Sequence, residues 1–193
     1  MSIVADITKF SLSKNLRVEE IHTKDYWDIL ELARQWQQMA YTKQNTFTPG
    51  NEAWSRLRSC GHIAGDIVRY LEQISPNTNK ELYACKDSTT KIQGLAVIEM
   101  KPDRDSNELA LVVHSLVTNP ENIQCAANPE RIEGVGRTFC QYVNQAAPKA
   151  GLKNIYLIPT ASAIAFYEKF GFIHINDGSG TMRRSLSQPS SKL

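Results

Sequence analysis

Two short segments in the last third of the chain decide the fold, RIEGVG at Arg131–Gly136 and AFYEKFGF at Ala165–Phe172. The first segment places two glycines, Gly134 and Gly136, at the start of a helical pattern. The first N–H groups of a helix have no partner within the helix, and they point outward along its dipole. Because glycine leaves these groups accessible, such a loop can bind an anion.

Three side chains beside this loop could reach the same anion: Arg131, Arg137 and Thr138. A simpler interpretation is a tight strand-to-helix turn in which Arg131 is only a solvated cation. A dinucleotide-binding loop would need a third glycine at the position of Phe139, and a Walker loop would need a following Gly-Lys-Ser/Thr. The loop by itself therefore predicts either an anion site or a plain turn.

The second segment adds a pattern about thirty residues downstream, with a β-like run between. Taken together, Arg131-x-x-Gly134-x-Gly136 and the run from Thr160 to Phe172 resemble the GNAT superfamily of acyl-coenzyme-A-dependent N-acyltransferases. The resemblance covers roughly residues 109–172. Before residue 109 only the order of helices and strands resembles the family. It implies an α+β (α/β) fold, with a central, mostly antiparallel mixed sheet of about seven strands flanked by four helices.

Hydrophobic periodicity independently predicts the same order of elements, β, α, α, β, β, β, α, β, α, β, β. The predicted strands are 15–22, 81–85, 92–100, 108–117, 154–158, 172–175 and 181–185. The predicted helices are 25–40, 49–71, 135–146 and 162–170, the second with Thr48 as its N-cap. We expect a single domain over 1–184 and a flexible tail over 185–193, with Pro120 ending the strand before the glycine loop.

Composition argues against several classes of partner. The chain has 22 Lys+Arg against 20 Asp+Glu, a net charge of +2, so nucleic acid is not expected as a partner. No apolar run approaches eighteen residues and no signal peptide begins the chain, which predicts a cytoplasmic protein without a membrane partner. The final Ser191–Leu193 (SKL) would instead be a peroxisomal address in a eukaryote.

The four cysteines, Cys60, Cys85, Cys125 and Cys140, have neither C-x-x-C spacing nor a neighbouring histidine cluster. Zinc sites and disulfide frameworks usually show such spacing. The sequence therefore predicts no metal site and favours a reducing compartment.

The resemblance implies that acetyl-CoA is the acyl donor. Its pantetheine arm would lie between the strand before the glycine loop and the strand after the following helix, with the diphosphate on the loop. Thr160 stands where the family often has asparagine. The threonine provides a hydroxyl group but changes the side-chain contact expected with the cofactor. The implied cofactor-binding residues are Leu116, Val117, Thr118, Arg131, Ile132, Glu133, Gly134, Val135, Gly136, Arg137, Thr138, Thr160, Ser162, Phe166, Tyr167 and Lys169.

The resemblance also assigns Tyr167 as the general acid that protonates the departing thiolate, with Ser162 as the fallback donor. Tyr167 also fits a purely structural role, because it shares an apolar helical face with neighbouring aromatic residues. A backbone N–H near Val117 would stabilise the oxyanion.

Three residues are candidates for the base that takes the ammonium proton: Glu99, Glu108 and His114. His114 is the most apt because imidazole titrates near neutral pH. A single histidine in an apolar strand can equally be a hydrogen-bonded core residue.

The leading functional hypothesis is an acetyl-CoA-dependent N-acetyltransferase that modifies a primary amine of a small molecule or a protein. A second hypothesis is an acyl-CoA-binding regulatory or effector module that has the same fold and little turnover. Many relatives form dimers, so a homodimer is possible. No motif identifies the amine acceptor.

Overall fold

The computed structural model describes residues 10–13, 16–73, 79–106, 108–123 and 132–186. The described residues do not include Arg131, Cys125, residues 75–78, most of the loop before Arg131, or the tail with Ser191–Leu193. The strands are β1 (Phe10–Ser13), β2 (Leu16–Glu20), β3 (Lys80–Asp87), β4 (Ile92–Pro102), β5 (Leu109–Thr118), β6 (Asn154–Leu157), β7 (Ile173–His174) and β8 (Met182–Ser185). The helices are α1 (Tyr26–Gln44), α2 (Glu52–Glu72), α3 (Val135–Lys149) and α4 (Ile164–Glu168), with short 3₁₀ turns at Thr23–Asp25, Pro120–Asn122 and Ala161–Ala163.

The strands form one mixed sheet in the order β1-β2-β3-β4-β5-β6-β8-β7. Every neighbouring pair is antiparallel except β5 and β6, which are parallel and are joined by the crossover helix α3. The predicted fold class is therefore confirmed. The sheet has one strand, β1, ahead of the first strand that the sequence pattern predicted.

Helices cover the two faces of the sheet unequally. On one face α3 buries Phe139 and Val143 against Leu111 and Ile155 along β5 and β6. On the other face α1 and α2 pack on a separate cluster that includes Trp36, Ile67, Leu82, Leu95 and Val97. The apolar stripes of the helices thus predict their burial correctly.

The start of α2 differs from the prediction of a Thr48 cap. The helix begins at Glu52, and the Asn51 side chain accepts a hydrogen bond of 2.7 Å from the N–H of Ala53. Gly50, at φ +91°, reverses the chain before that cap. A Thr-Pro pair reads as a helix start, but here it belongs to the turn ahead of an asparagine cap.

The sheet forks between β5 and β6. The two strands pair only from Leu111 opposite Ile155 to Val113 opposite Leu157. β5 then continues to Thr118, whereas the chain leaves the sheet after Leu157. A β-bulge marks this point, because Val97 and Ile98 of β4 face Ser115 and Val113 of β5 and leave His114 as the extra residue.

No helix within the described ranges is long and apolar enough to cross a bilayer.

Candidate functional site

A cleft of about 430 Å³ opens at the fork. Its walls come from the end of β5, the loop before α3, the turn after β6 and one side of α2. The residues that line it are Arg56, Ser59, Cys60, Ile63, Leu116, Val117, Thr118, Asn122, Ile123, Ile132, Glu133, Gly134, Val135, Gly136, Thr160, Ser162, Ala163 and Phe166. Eleven of the predicted cofactor-binding positions are in this set: Leu116, Val117, Thr118, Ile132, Glu133, Gly134, Val135, Gly136, Thr160, Ser162 and Phe166.

The glycine loop presents bare backbone to the cleft. Gly134 is the N-cap of α3 and has φ +88°, a left-handed conformation that only glycine adopts without strain. A Cβ on Gly136 would lie 3.3 Å from Cζ of Phe166, so a side chain there would crowd the ring that forms the opposite wall. This geometry leaves the first N–H groups of a fifteen-residue helix facing the cleft, the arrangement that binds phosphate in other proteins.

A buried polar network fixes the position of the loop. Oδ1 of Asn122 accepts a 2.9 Å hydrogen bond from the N–H of Ile132, and its Nδ2 donates to Oε1 of Gln93 at 2.8 Å. Gln93 in turn donates to Oδ2 of Asp87 at 2.6 Å. Burial alone would raise the pKa of Asp87, but hydrogen bonds from Thr89, Gln93 and the Lys91 N–H outweigh it and lower that pKa. The turn between β3 and β4 is therefore connected to the glycine loop.

Four predicted cofactor-binding residues do not line the cleft. Thr138 is buried, and its hydroxyl donates to the carbonyl of Gly134 at 3.0 Å. Arg137 and Lys169 are exposed outside the cleft. Tyr167, the fourth, lies behind the cleft wall.

Helix α2 contributes residues that the sequence analysis missed: Arg56, Ser59, Cys60 and Ile63. The Cys60 thiol donates to the carbonyl of Thr118 at 3.3 Å, and burial raises its pKa to about 12. Arg56 also pairs with Glu52 one turn away. The pattern of α2 marks its apolar stripe, but nothing in that pattern shows that its edge would face the glycine loop.

Tyr167 is only 9% exposed and packs among aromatic rings. Its ring centroid lies 5.1 Å from that of Phe166 and 5.8 Å from that of Phe172. Burial raises the pKa of the phenol, and the Cys140 thiol adds to the effect. Tyr167 borders a cavity of about 10 Å³, which shares Leu116 with the main cleft. Tyr167 itself is not among the residues that line the cleft.

His114 and Glu99 form a pair at the bulge. Nε2 of His114 lies 2.6 Å from Oε2 of Glu99, and the two side chains are 29% and 20% exposed. Burial lowers the pKa of His114, and the cations of Lys80 and Lys101 lower it further, against the opposing effect of Glu99. The imidazole is therefore neutral at pH 7. With its proton on Nε2 donated to Glu99, Nδ1 is left as an acceptor.

Glu108, the remaining candidate base, lies at the other end of β5. Its Oε1 accepts from Nζ of Lys153 at 2.5 Å. Within the described part of the chain no group of three or more His, Cys, Asp or Glu side chains could hold a metal ion.

No protein-family model matches this sequence, and no curated protein matches it. Among solved structures, a GNAT-family acetyltransferase from Listeria monocytogenes superposes with a TM-score of 0.58 and 13% identity, over 92% of this chain and 99% of that one. The protein has the GNAT fold. A GNAT-family acetyltransferase from Brucella melitensis in complex with acetyl-CoA gives a TM-score of 0.51 and 13% identity, over 89% and 88% of the two chains.

The GNAT fold accounts for nearly all of the described chain. The chain spans about a third of one longer structure, a probable N-acyltransferase from Enterococcus faecalis. That superposition covers 81% of this chain and 32% of the longer one, with 12% identity and a TM-score of 0.47. At these identities the comparisons show the GNAT fold, and the roles of individual residues must be argued from the chemistry of the site.

Proposed function

We propose that this protein is an N-acetyltransferase that transfers the acetyl group of acetyl-CoA directly to a primary amine. The amine nitrogen attacks the thioester carbonyl carbon, the C–S bond breaks, and the acetyl group moves to nitrogen. The attacking nitrogen loses one proton, and the coenzyme sulfur gains one. The products are an N-acetylated amine and free coenzyme A.

The cleft at the fork carries this proposal. A diphosphate would lie against the N–H groups of the glycine loop, where the dipole of α3 favours negative charge. The pantetheine amides would pair with the β6-side edge of β5 at 116–118, where no strand among the described residues pairs with β5 beyond the fork. Acetyl-CoA bound to the Brucella melitensis acetyltransferase, which has the same fold, supports this ligand.

Acyl transfer needs a proton acceptor for the amine. The His114–Glu99 pair is the proposed base, because the imidazole is neutral at pH 7 and lies at the bulge, two residues before Leu116, the first β5 residue that lines the cleft. The two residues lie beside each other, which the sequence could not show. A backbone N–H near Val117 is the proposed oxyanion donor.

Tyr167 is the proposed general acid, although its burial works against that role in two ways. A raised pKa widens the gap between phenol and thiol, so proton transfer to the thiolate is less balanced than for an exposed tyrosine. The phenol would also have to become accessible from the cleft, because Tyr167 does not line it. Ser162, which lines the cleft directly, is the alternative donor.

The buried position of Tyr167 also favours a second candidate function, an acyl-CoA-binding regulatory or effector module with little turnover. Such a module would use the same cleft and lack an accessible acid. Ligand binding and turnover must therefore be measured separately.

Two measurements test the proposed function. Thermal shift with acetyl-CoA, longer acyl-CoAs and free coenzyme A reports binding without any acceptor, because a ligand of the folded state raises its Tm. Coenzyme A release with an amine panel then reports turnover, for the wild type and for Tyr167→Phe. Binding with a large loss of turnover in Tyr167→Phe supports the enzyme with a tyrosine acid. Binding without turnover in either protein favours the module, and no binding rejects both.

A further inference from the structure

The face of the sheet beside His114 is only half covered. Alternate residues of β4 point to one face, and α1 and α2 cover Leu95 and Val97 of that row. The next two, Glu99 and Lys101, continue the row beyond the helices, where both are only partly buried. Among the described residues, therefore, α1 and α2 leave their side of the sheet uncovered next to the proposed base.

A pocket of about 130 Å³ lies on this open part. Its residues are Lys101, Pro102, Arg104, Ala110, Val112, Val113, His114, Tyr156, Leu157, Ile158 and Thr181. The pocket and the cleft are neighbours along the fork, because the pocket includes His114 and Ile158 and the cleft includes Leu116 and Thr160, two residues further along the chain in each case. A molecule in this pocket would therefore lie near a thioester bound in the cleft.

The pocket carries two cationic side chains. No carboxylate of a described residue forms an ion pair with Lys101. Nη1 of Arg104 contacts Oδ2 of Asp177 at 2.9 Å, but the Arg104 side chain is 53% exposed and its guanidinium has further N–H groups to donate. The wall opposite these cations is apolar, and Ile158 there is 69% exposed.

We propose that this pocket selects small amines that carry an anionic group, which Lys101 and Arg104 hold while His114 faces the amine. The anion is a carboxylate or a phosphate, since both accept hydrogen bonds from ammonium and guanidinium groups. The apolar wall formed by Val112 and Ile158 suits a short hydrocarbon segment between the anion and the amine. This inference rests on the proposed function, and it favours a small acceptor over a protein amino group.

Matched acceptor pairs test the inference. Coenzyme A release is measured with saturating acetyl-CoA for leucine against leucinamide, 4-aminobutyrate against 4-aminobutanamide, and 2-aminoethyl phosphate against 2-aminoethanol. We expect kcat/KM to be at least tenfold higher for the anionic member of a pair. The first two pairs indicate a carboxylate and the third indicates a phosphate.

Two variants link the preference to the pocket. Lys101→Met should reduce the anionic-to-neutral ratio of kcat/KM about tenfold. Lys153→Met removes a surface cation that is paired with Glu108 outside the pocket, and it should leave the ratio unchanged.

The inference is overturned if neutral acceptors are used as well as anionic ones, or if Lys101→Met slows both members of a pair equally. It is also overturned if acetyl-CoA binds but no anionic amine is acetylated. A thermal shift with acetyl-CoA separates these results from failure of the proposed function. Absence of that shift rejects the proposed function itself, whereas a normal shift with the wrong acceptor preference rejects only the anion pocket.

Discussion

Nε2 of His114 lies 2.6 Å from Oε2 of Glu99, and the two residues come from neighbouring strands at a β-bulge. The bulge makes His114 the extra residue of β5. A regular strand would pair His114 with a β4 residue, and every later residue of β5 would point to the opposite face. The bulge therefore places the proposed base at the fork and also sets which side chains of residues 115–118 point to each face of the sheet.

The first prediction concerns the titration of His114. Its pKa is below the ordinary 6.5 because burial and the cations of Lys80 and Lys101 disfavour the imidazolium. Glu99→Gln should lower this pKa further, and Lys101→Met should raise it, as measured from the imidazole C–H resonances by NMR. The acid limb of kcat/KM should move in the same direction. An unchanged limb in both variants would contradict His114 as the base.

The same shift has a consequence for stability, and its sign follows from linkage. The folded state binds the His114 proton more weakly than the unfolded state, so the contribution is complete above about pH 6.5 and is lost as the pH falls through the folded-state pKa. His114→Gln should therefore flatten the pH dependence of the free energy of unfolding over that window. Urea unfolding at several pH values measures this effect.

A second prediction concerns Gly136. In Gly136→Ala the new Cβ would meet Phe166 at 3.3 Å, so the added methyl group and the displaced ring both change the wall of the cleft, and we expect acetyl-CoA affinity to fall several-fold. The fold should not be destabilised, because alanine is a better helix residue than glycine by about 1 kcal/mol. Isothermal titration calorimetry with acetyl-CoA and urea unfolding separate the two effects. Gln145→Ala, on the exposed side of α3, is the matched control and should retain full affinity.

A third prediction concerns Asn122. Asn122→Ala leaves the Ile132 N–H and the side-chain Oε1 of Gln93 without their partners, at a cost of about 1–3 kcal/mol in the free energy of unfolding. We also expect weaker acetyl-CoA binding, because the glycine loop loses its anchor. Gln93→Ala damages the same network near Asp87 but keeps the bond to Ile132, so it should lower stability with a smaller effect on binding. Equal losses of affinity in both variants would count against an anchoring role.

A fourth prediction concerns Gly94, where β4 passes under the first turn of α3. In Gly94→Ala the Cβ would lie 2.5 Å from Cγ1 of Val135 and 3.0 Å from Cε2 of Phe139, both of which are buried. Overpacking of this kind costs about 1–3 kcal/mol. Adding Val135→Ala should recover part of that loss, so the double variant should be more stable than the sum of the single effects predicts. Urea unfolding of the four proteins completes the cycle.

Much of the fold could be predicted from the sequence because the relevant signals are local. The 3.6-residue stripes predicted α1 to α3, and the glycines around Gly134 predicted the start of α3. The predicted strands 81–85, 92–100 and 108–117 correspond to β3, β4 and β5, which form two successive hairpins. The motif pair then selected one arrangement of these elements, and it also identified most residues that line the cleft.

Two local signals failed where a competing interaction decided the structure. The Thr-Pro pair at 48–49 predicted a helix start, but the Asn51 side chain caps α2 instead. The apolar strand around His114 also fitted a hydrogen-bonded core histidine. The structure leaves His114 partly exposed, because α1 and α2 end their contact with the sheet before reaching it.

The sequence by itself determined the elements, their order and the glycine loop, since each depends on residues close together along the chain. Only the tertiary structure decided which distant side chains meet: His114 with Glu99, Asn122 with the Ile132 N–H, and Arg56 with the cleft. It also decided that Tyr167 is buried and does not line the cleft, because that depends on how α4 and the rings around it pack against α3 and the sheet. The physical reason is that packing and strand pairing bring together residues far apart along the chain, whereas hydrophobic periodicity reports only on residues that are close together.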